Sequence, residues 1–129
     1  MRYQELARVG KQYHKDTNFC GVIAVAVATG IKFTKASSLL RKGGRTKRKG
    51  TPFHAFNYAL EKLGYNSESY EGSQPKSLAT AVRMLPKKGT FWILTKRHIT
   101  CIRDGVMDDW AAETNSRKHV IWIKEIKKY

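Results

Sequence analysis

The fold of this chain is decided by one stretch, NFCGVIAVAVATG, which runs from Asn18 to Gly30. A single thiol, Cys20, precedes an apolar run of ordinary helix length that stops at a glycine. Because Val, Ile and Ala fill every side of the run, it predicts a helix buried all round, with a strand as the alternative. A helix N-terminus lowers the pKa of a cysteine, since the dipole and the unpaired N–H groups favour the thiolate. The stretch therefore predicts a cysteine nucleophile.

The composition sets the class of protein. The chain has 129 residues, 41% of them hydrophobic, which fits a single domain over residues 1–129. Its two cysteines, Cys20 and Cys101, are too few for a disulfide framework, so we expect a reducing compartment. We find no signal peptide and no run of membrane-spanning length. These features predict a cytoplasmic protein without a membrane partner.

The order of the predicted elements indicates an α+β fold. Helical spacing covers residues 34–42, 52–63 and 78–85, with Thr34 and Thr51 as the N-caps of the first two helices and Phe53 facing the core. Short β-rich runs follow at residues 90–95, 98–103, 106–110 and 120–126, and residues 65–70 form a further edge strand. We therefore expect N-terminal helices packed on a C-terminal antiparallel sheet of about four strands.

A cysteine nucleophile needs a base, and His98 is the best candidate. It begins a predicted strand, on which it shares one face with Thr100 and Ile102, whereas Cys101 points to the other face. Cys101 is then a core residue and not a disulfide partner. We expect a groove where the Cys20 helix meets this strand.

A third residue must orient the imidazole of His98. A hairpin signal at Asp104-Gly105 indicates which residue this is. A two-residue turn at this point brings Asp109 to the face of His98. A three-residue loop with a bulge shifts the register by one residue and brings Asp108 there instead. The sequence favours Asp109 and leaves Asp108 as the alternative.

These residues together carry a resemblance to a known family. The motif NFCG opens the apolar helix, and HITCIRDGVMDDW stands far downstream, from His98 to Trp110. In this order of elements, over residues 18–126, the chain resembles the papain-like cysteine peptidase superfamily and its small bacterial and phage branches. The resemblance implies a papain-like fold and a protein or peptide substrate, which the basic charge of the chain suggests is acidic.

The resemblance also implies acyl transfer by a cysteine-nucleophile amide hydrolase, which could be a peptidase, an isopeptidase or an amidase. The catalytic residues of the family fall on three positions: Cys20, His98, and Asp109 or Asp108. In the family the oxyanion is held by the cysteine N–H and by an upstream side chain, often a glutamine six residues earlier. His14 stands at that spacing here, and Asn18 and Gln12 are the other candidates. No cofactor is implied, and no closely spaced ligand pair predicts a metal site.

The charge of the chain predicts a second kind of partner. Its 25 Lys and Arg against 10 Asp and Glu give a formal net charge of +15, which attracts nucleic acid, ribosomes or acidic proteins. The segment Arg41–Lys49 has no apolar residue and predicts an exposed loop. Its cationic side chains are Arg41, Lys42, Arg45, Lys47, Arg48 and Lys49. The alternative function is therefore a basic module, or an inactive papain-like domain, that binds an anionic partner through this loop.

The C-terminal part adds lysines and aromatic rings to this alternative. The lysines are Lys124, Lys127 and Lys128, and the rings that could stack on bases are Phe91, Trp92, Trp110 and Trp122. Because the rings fall in β-patterned runs, we expect most of them in the core.

Overall fold

The computed structural model describes residues 20–46, 51–72, 75–95, 98–107 and 119–128. Within these residues the chain forms four helices and one antiparallel sheet of five strands. The helices are α1 Cys20–Thr29, α2 Phe33–Lys42, α3 Phe53–Leu63 and α4 Leu78–Met84. The strands are β1 Tyr65–Ser69, β2 Thr90–Thr95, β3 His98–Arg103, β4 Val106–Met107 and β5 Trp122–Lys128. The predicted α+β class is confirmed.

The strands lie in the order β1-β5-β2-β3-β4, and every neighbouring pair is antiparallel. The four C-terminal strands are contiguous, as the sequence predicts. The strand predicted over residues 65–70 is also confirmed, and it joins the sheet at its edge beside β5. The last strand therefore lies inside the sheet, between β1 and β2.

The alternation of side chains along the strands separates two cores. One face of the sheet carries Trp92, Cys101 and Ile126, and it packs against α1, α2 and α3. The other face carries Ile93 and Ile102, and it packs against α4. The expectation of helices packed on the sheet is confirmed for the four described helices. The fourth helix covers the opposite face, which the order of elements along the chain does not reveal.

Helix α1 is the central element of the larger core. Val22 and Val25 are fully buried, and so is most of the helix around them, which confirms helix over strand for this apolar run. The indole Nε1 of Trp92 donates a hydrogen bond to the carbonyl oxygen of Ala24 at 3.1 Å. The ring of Phe56 lies 5.0 Å from that of Trp92, centroid to centroid. These contacts tie α1 to β2 and α3 around one indole.

The beginning of α2 differs from the prediction. Thr34 is the second residue of the helix, and the N-cap is Lys32, which makes no side-chain capping hydrogen bond. The helix begins at Phe33 because the ring is buried in the core at 1% exposure, so that packing sets the start of the helix rather than a capping hydroxyl. The prediction that Thr34 is the N-cap of this helix was therefore wrong.

The end of α2 explains a second difference, at Arg45. The Arg45 N–H donates to the carbonyl oxygen of Leu40 at 2.8 Å, and the Gly44 N–H donates to that of Arg41 at 3.0 Å. This pair of bonds, with Gly44 at φ +119°, is a Schellman turn that folds the chain back onto the helix. The Arg45 side chain is therefore 3% exposed. The prediction that Arg45 lies in an exposed loop was therefore wrong.

Helix α3 places its first aromatic residue outside the core. The N-cap is Pro52 rather than Thr51, and the buried face is formed by Ala55, Phe56 and residues one turn further on. Phe53 is 52% exposed, because at the first residue of the helix its ring reaches only the rim of the sheet, where it contacts Trp122. The prediction that Phe53 faces the core was wrong.

The hairpin between β3 and β4 has the predicted two-residue turn. Arg103 pairs with Val106, and Asp104 and Gly105 have φ angles of +52° and +82°. Two successive positive φ angles define a type I′ turn, which matches the twist of the flanking strands. Residues 108–110, the rest of the predicted third run, lie outside the described residues.

Gly105→Ala is expected to lower the free energy of unfolding by roughly 1 kcal/mol, because an alanine is strained at a φ of +82°. Gly105→Asn is the matched control, since asparagine adopts the left-handed region more readily and should lose less. Urea unfolding followed by circular dichroism measures both values. Equal stability of the alanine variant and the wild type would contradict this account of the turn.

Candidate functional site

Cys20 is the first residue of α1, and its side chain is half-buried while most of the helix behind it is fully buried. The first N–H groups of a helix have no partner within it, so this end is electropositive. The first turn of α1 carries no acidic residue that would offset this charge. Cys20 and Cys101 form no disulfide, and Cys101 is 3% exposed, which confirms that it is a core residue. Cys20, the cysteine whose side chain is partly exposed, is therefore also the one whose thiolate form the helix dipole favours.

Two hydrogen bonds fix the direction of α1 on the sheet. Trp92, which lies opposite the middle of β3, bonds the carbonyl oxygen of Ala24, and the guanidinium of Arg103, the last residue of β3, bonds that of Val27 at 3.0 Å. The helix thus advances along the sheet in the same direction as β3. Its first residue, Cys20, lies toward the end of the sheet where β3 begins.

The surroundings of Gly21, the residue after Cys20, also place the head of α1 at this end of the domain. A side chain at Gly21 would meet Thr51, which stands just before α3. At the beginning of α3 the ring of Phe53 lies 5.6 Å from that of Trp122, and Trp122 pairs with Leu94 near the end of β2. The next residue of β2 pairs with His98. The head of α1 and the beginning of β3 therefore belong to one end of the domain.

His98 pairs with Thr95 as the first residue of β3. The structure describes its backbone and not its side chain. On the same strand, Thr100 and Ile102 have the parity of residue 98, and Ile102 packs on the α4 side of the sheet, whereas Cys101 packs on the α1 side. Cys20 and His98 thus share an end of the sheet, but the alternation of the strand assigns residue 98 to the face opposite α1.

The remaining predicted residues lie in other parts of the chain. Arg41 and Lys42 are exposed in the last turn of α2, where cations interact favourably with the helix dipole. Eight further predicted residues lie outside the described part of the chain: Gln12, His14, Asn18, Lys47, Arg48, Lys49, and Asp108 and Asp109, the two candidates for the orienting carboxylate. The two-residue turn on which the preference for Asp109 rests is nevertheless the one observed.

Trp122 and Lys124, which the sequence named among the rings and lysines that could bind nucleic acid, form a surface cluster with Phe53 that the sequence did not predict, and we call these three residues the aromatic–lysine platform. The two rings are tilted by 38°, and the Lys124 Nζ lies 5.7 Å from the centroid of each. Trp122 and Lys124 are two residues apart on β5 and so share a face, which is the signal that could have indicated the pair. Phe53 joins them only through the packing of α3 against the sheet.

The described ranges contain no grouped metal ligands and no single helix of membrane-spanning length. No three His, Cys, Asp or Glu side chains there are grouped so that they could hold a metal ion. No single helix there is long and apolar enough to cross a membrane. Only α1 and α2 taken together, which are bent relative to each other, have the length and apolar composition of a membrane span.

Comparison with known proteins gives no relative: no protein-family model, no curated protein and no solved structure matches the chain.

Proposed function

We propose that the chain is a cysteine-dependent amide hydrolase of the papain-like kind, with Cys20 as the nucleophile and His98 as the general base. The observation that carries this proposal is the position of Cys20, a partly exposed thiol at the first residue of a buried helix. The direction of that helix along β3 supports His98 as its partner, because both residues then stand at the same end of the sheet.

The proposed reaction is acyl transfer through a thioester. His98 takes the thiol proton of Cys20, and the sulfur attacks the carbonyl carbon of a peptide, isopeptide or other amide. The N–H groups at the head of α1 stabilise the oxyanion, with His14 or Asn18 as the proposed side-chain donor. His98 then gives the proton to the leaving nitrogen as the C–N bond breaks. Water attacks the thioester, which releases the acid and restores the thiol.

The β3–β4 hairpin supports Asp109 over Asp108 as the residue that orients His98. The observed turn pairs Arg103 with Val106, and the same register carried along the strand would pair Asp109 with Thr100. Residues that pair directly across an antiparallel ladder share a face, and Thr100 has the parity of His98. Asp108 would fall on the other face.

The packing of α1 on the sheet places one geometric requirement on the proposal. Since α1 packs on the Cys101 face and residue 98 has the opposite parity, the imidazole must reach past the beginning of β3 to accept the Cys20 proton. The dependence of thiol reactivity on His98 is therefore the decisive measurement.

The test is the rate at which iodoacetamide alkylates Cys20, followed by intact-protein mass from about pH 5 to about pH 9. A Cys101→Ala background leaves one thiol to observe. We expect Cys20 to react roughly tenfold faster than free cysteine near pH 7, because a helix N-terminus and a histidine raise its thiolate fraction. His98→Ala should lower the rate toward that of an ordinary thiol and leave only the effect of the helix N-terminus, and Asp109→Asn should lower it more than Asp108→Asn.

The matched control is His54→Ala, which removes an exposed histidine on α3 that lies against Gly44 rather than at the head of α1. Its alkylation rate should equal that of the wild type. A Cys20 that reacts no faster than free cysteine, and equally fast in His98→Ala, would rule out the proposed function.

A further inference from the structure

The aromatic–lysine platform joins an exposed ring to a partly exposed ring and a partly exposed lysine. Phe53 is 52% exposed, and Trp122 and Lys124 are half-buried beside it. The ammonium group of Lys124 lies over both rings and is in no ion pair with the described part of the chain. An aromatic surface and a cation without a carboxylate partner among the described residues thus lie side by side.

We propose that the aromatic–lysine platform binds single-stranded nucleic acid, with a base stacked on the exposed Phe53 ring and a backbone phosphate against Lys124. This inference is independent of the proposed amide hydrolase. It concerns a binding site formed by α3 and β5, whereas the hydrolase rests on Cys20 and His98.

The two parts of the platform match the two parts of a nucleotide. Every base presents a flat π face that can stack on an aromatic ring, and every phosphate carries a negative charge next to it along the strand. The platform is also preorganised, because the tilted contact with Trp122 holds Phe53 in place and the two rings hold Lys124. Little side-chain freedom remains to be lost on binding.

The charges around the platform favour a polyanion. The chain carries a formal net charge of +15, which would concentrate nucleic acid near its surface. The acidic groups Glu68, on the neighbouring strand β1, and Glu125, on β5 itself, are paired with Lys127 at 3.4 Å and 3.8 Å, and so do not neutralise Lys124. Glu125 also has the opposite strand parity to Lys124.

Single-stranded nucleic acid fits the platform better than an acidic peptide does. An aspartate or glutamate side chain would use the ammonium group of Lys124 and leave the Phe53 face without a partner. In a duplex the bases are stacked on one another, so the ring face would again be unused. A single strand engages both groups at once, and this difference makes the inference testable.

The test is fluorescence anisotropy of a dye-labelled oligothymidylate of about ten nucleotides, titrated with the full chain at several salt concentrations. Phe53→Ala is expected to weaken binding roughly tenfold, because one base loses its stacking partner. Lys124→Gln should also weaken binding, and it should reduce the slope of log affinity against log salt by about one phosphate contact.

Two matched controls come from the opposite side of the sheet. Met84→Ala changes a similarly exposed apolar residue on α4, and Lys88→Gln removes an exposed lysine just beyond it. Met84→Ala should leave the affinity unchanged, and Lys88→Gln should change it less than twofold, since neither residue belongs to the platform. Because Phe53 is exposed, its replacement should not unfold the chain, and the circular dichroism spectrum checks this.

Three results would overturn the inference. The first is an affinity of Phe53→Ala equal to that of the wild type, which would mean that binding is due to net charge alone. The second is an equal loss for a duplex of matched length in the same variant. The third is displacement of the oligonucleotide by a polyglutamate peptide of equal charge at equal concentration, which would identify the surface as a site for acidic proteins. Cys20 alkylation enters none of these measurements, so the two proposals can fail separately.

Discussion

Trp92→Ala is expected to lower the free energy of unfolding by about 3 to 5 kcal/mol. The indole is 2% exposed, contacts the Phe56 ring and donates a hydrogen bond to α1, so its removal leaves a large cavity between the sheet and two helices. A domain of this size has a total stability of roughly 5 to 15 kcal/mol, so this one side chain accounts for a large share of it. Chemical denaturation at equilibrium measures the loss.

Trp92→Phe separates the packing of the indole from its hydrogen bond. Phenylalanine fills much of the same space but cannot donate to the carbonyl oxygen of Ala24, so we expect a loss of roughly 1 to 2 kcal/mol. Met84→Ala is the surface control and should lie within about 0.5 kcal/mol of the wild type, since Met84 is 49% exposed. A Trp92→Ala variant that loses no more than Trp92→Phe would contradict the assignment of this residue to the centre of the core.

Gly21→Ala is expected to destabilise the chain by about 1 to 3 kcal/mol, the usual cost of overpacking. At an ordinary helix position the same change would stabilise by roughly 0.5 to 1 kcal/mol, so the sign of the effect is diagnostic. A Cβ at residue 21 would stand 2.9 Å from the Cβ of Thr51 and 2.9 Å from Cζ of Phe56. Neither neighbour can move freely, because Thr51 is β-branched and the Phe56 ring is buried in the core.

The double variant Gly21→Ala/Thr51→Gly tests whether this close contact is the cause. Removing the Thr51 side chain should restore part of the stability, with a coupling energy of roughly 0.5 kcal/mol or more between the two positions. Ala24→Gly is a control for helix propensity within α1. Additive effects at residues 21 and 51 would mean that the head of α1 and the segment before α3 do not touch as described.

Local periodicity was sufficient to predict most of the elements. The apolar run after Cys20 and the turn at Asp104-Gly105 are both set by residues close together in sequence, and the structure has them where they were expected. The errors at Thr34 and Phe53 occur at helix starts. There, long-range packing decides which residue begins the helix and which ring is covered.

Much less of the candidate site could be predicted. The alternation along β3 predicts opposite faces for residue 98 and Cys101, but it does not say which face of the sheet α1 covers. That choice depends on contacts such as the one from Trp92 to α1, made between residues 68 positions apart. The exposure of Arg45 was mispredicted for a related reason. A run of cations and glycines indicates an exposed loop, but the turn that follows α2 folds Arg45 back onto the helix. The platform requires α3 and β5 to meet, which no local pattern encodes.

The place of β5 between β1 and β2 has a consequence for folding during synthesis. Translation proceeds from β1 to β5, so β1 leaves the ribosome well before the strand that it pairs with, and β2 can complete only one of its two ladders until residues 122–128 emerge. The nascent chain must therefore hold an unpaired strand edge while more than fifty residues are added. Closure of the sheet is a late step between residues far apart in sequence. Steps of this kind slow the folding of a chain of this topology.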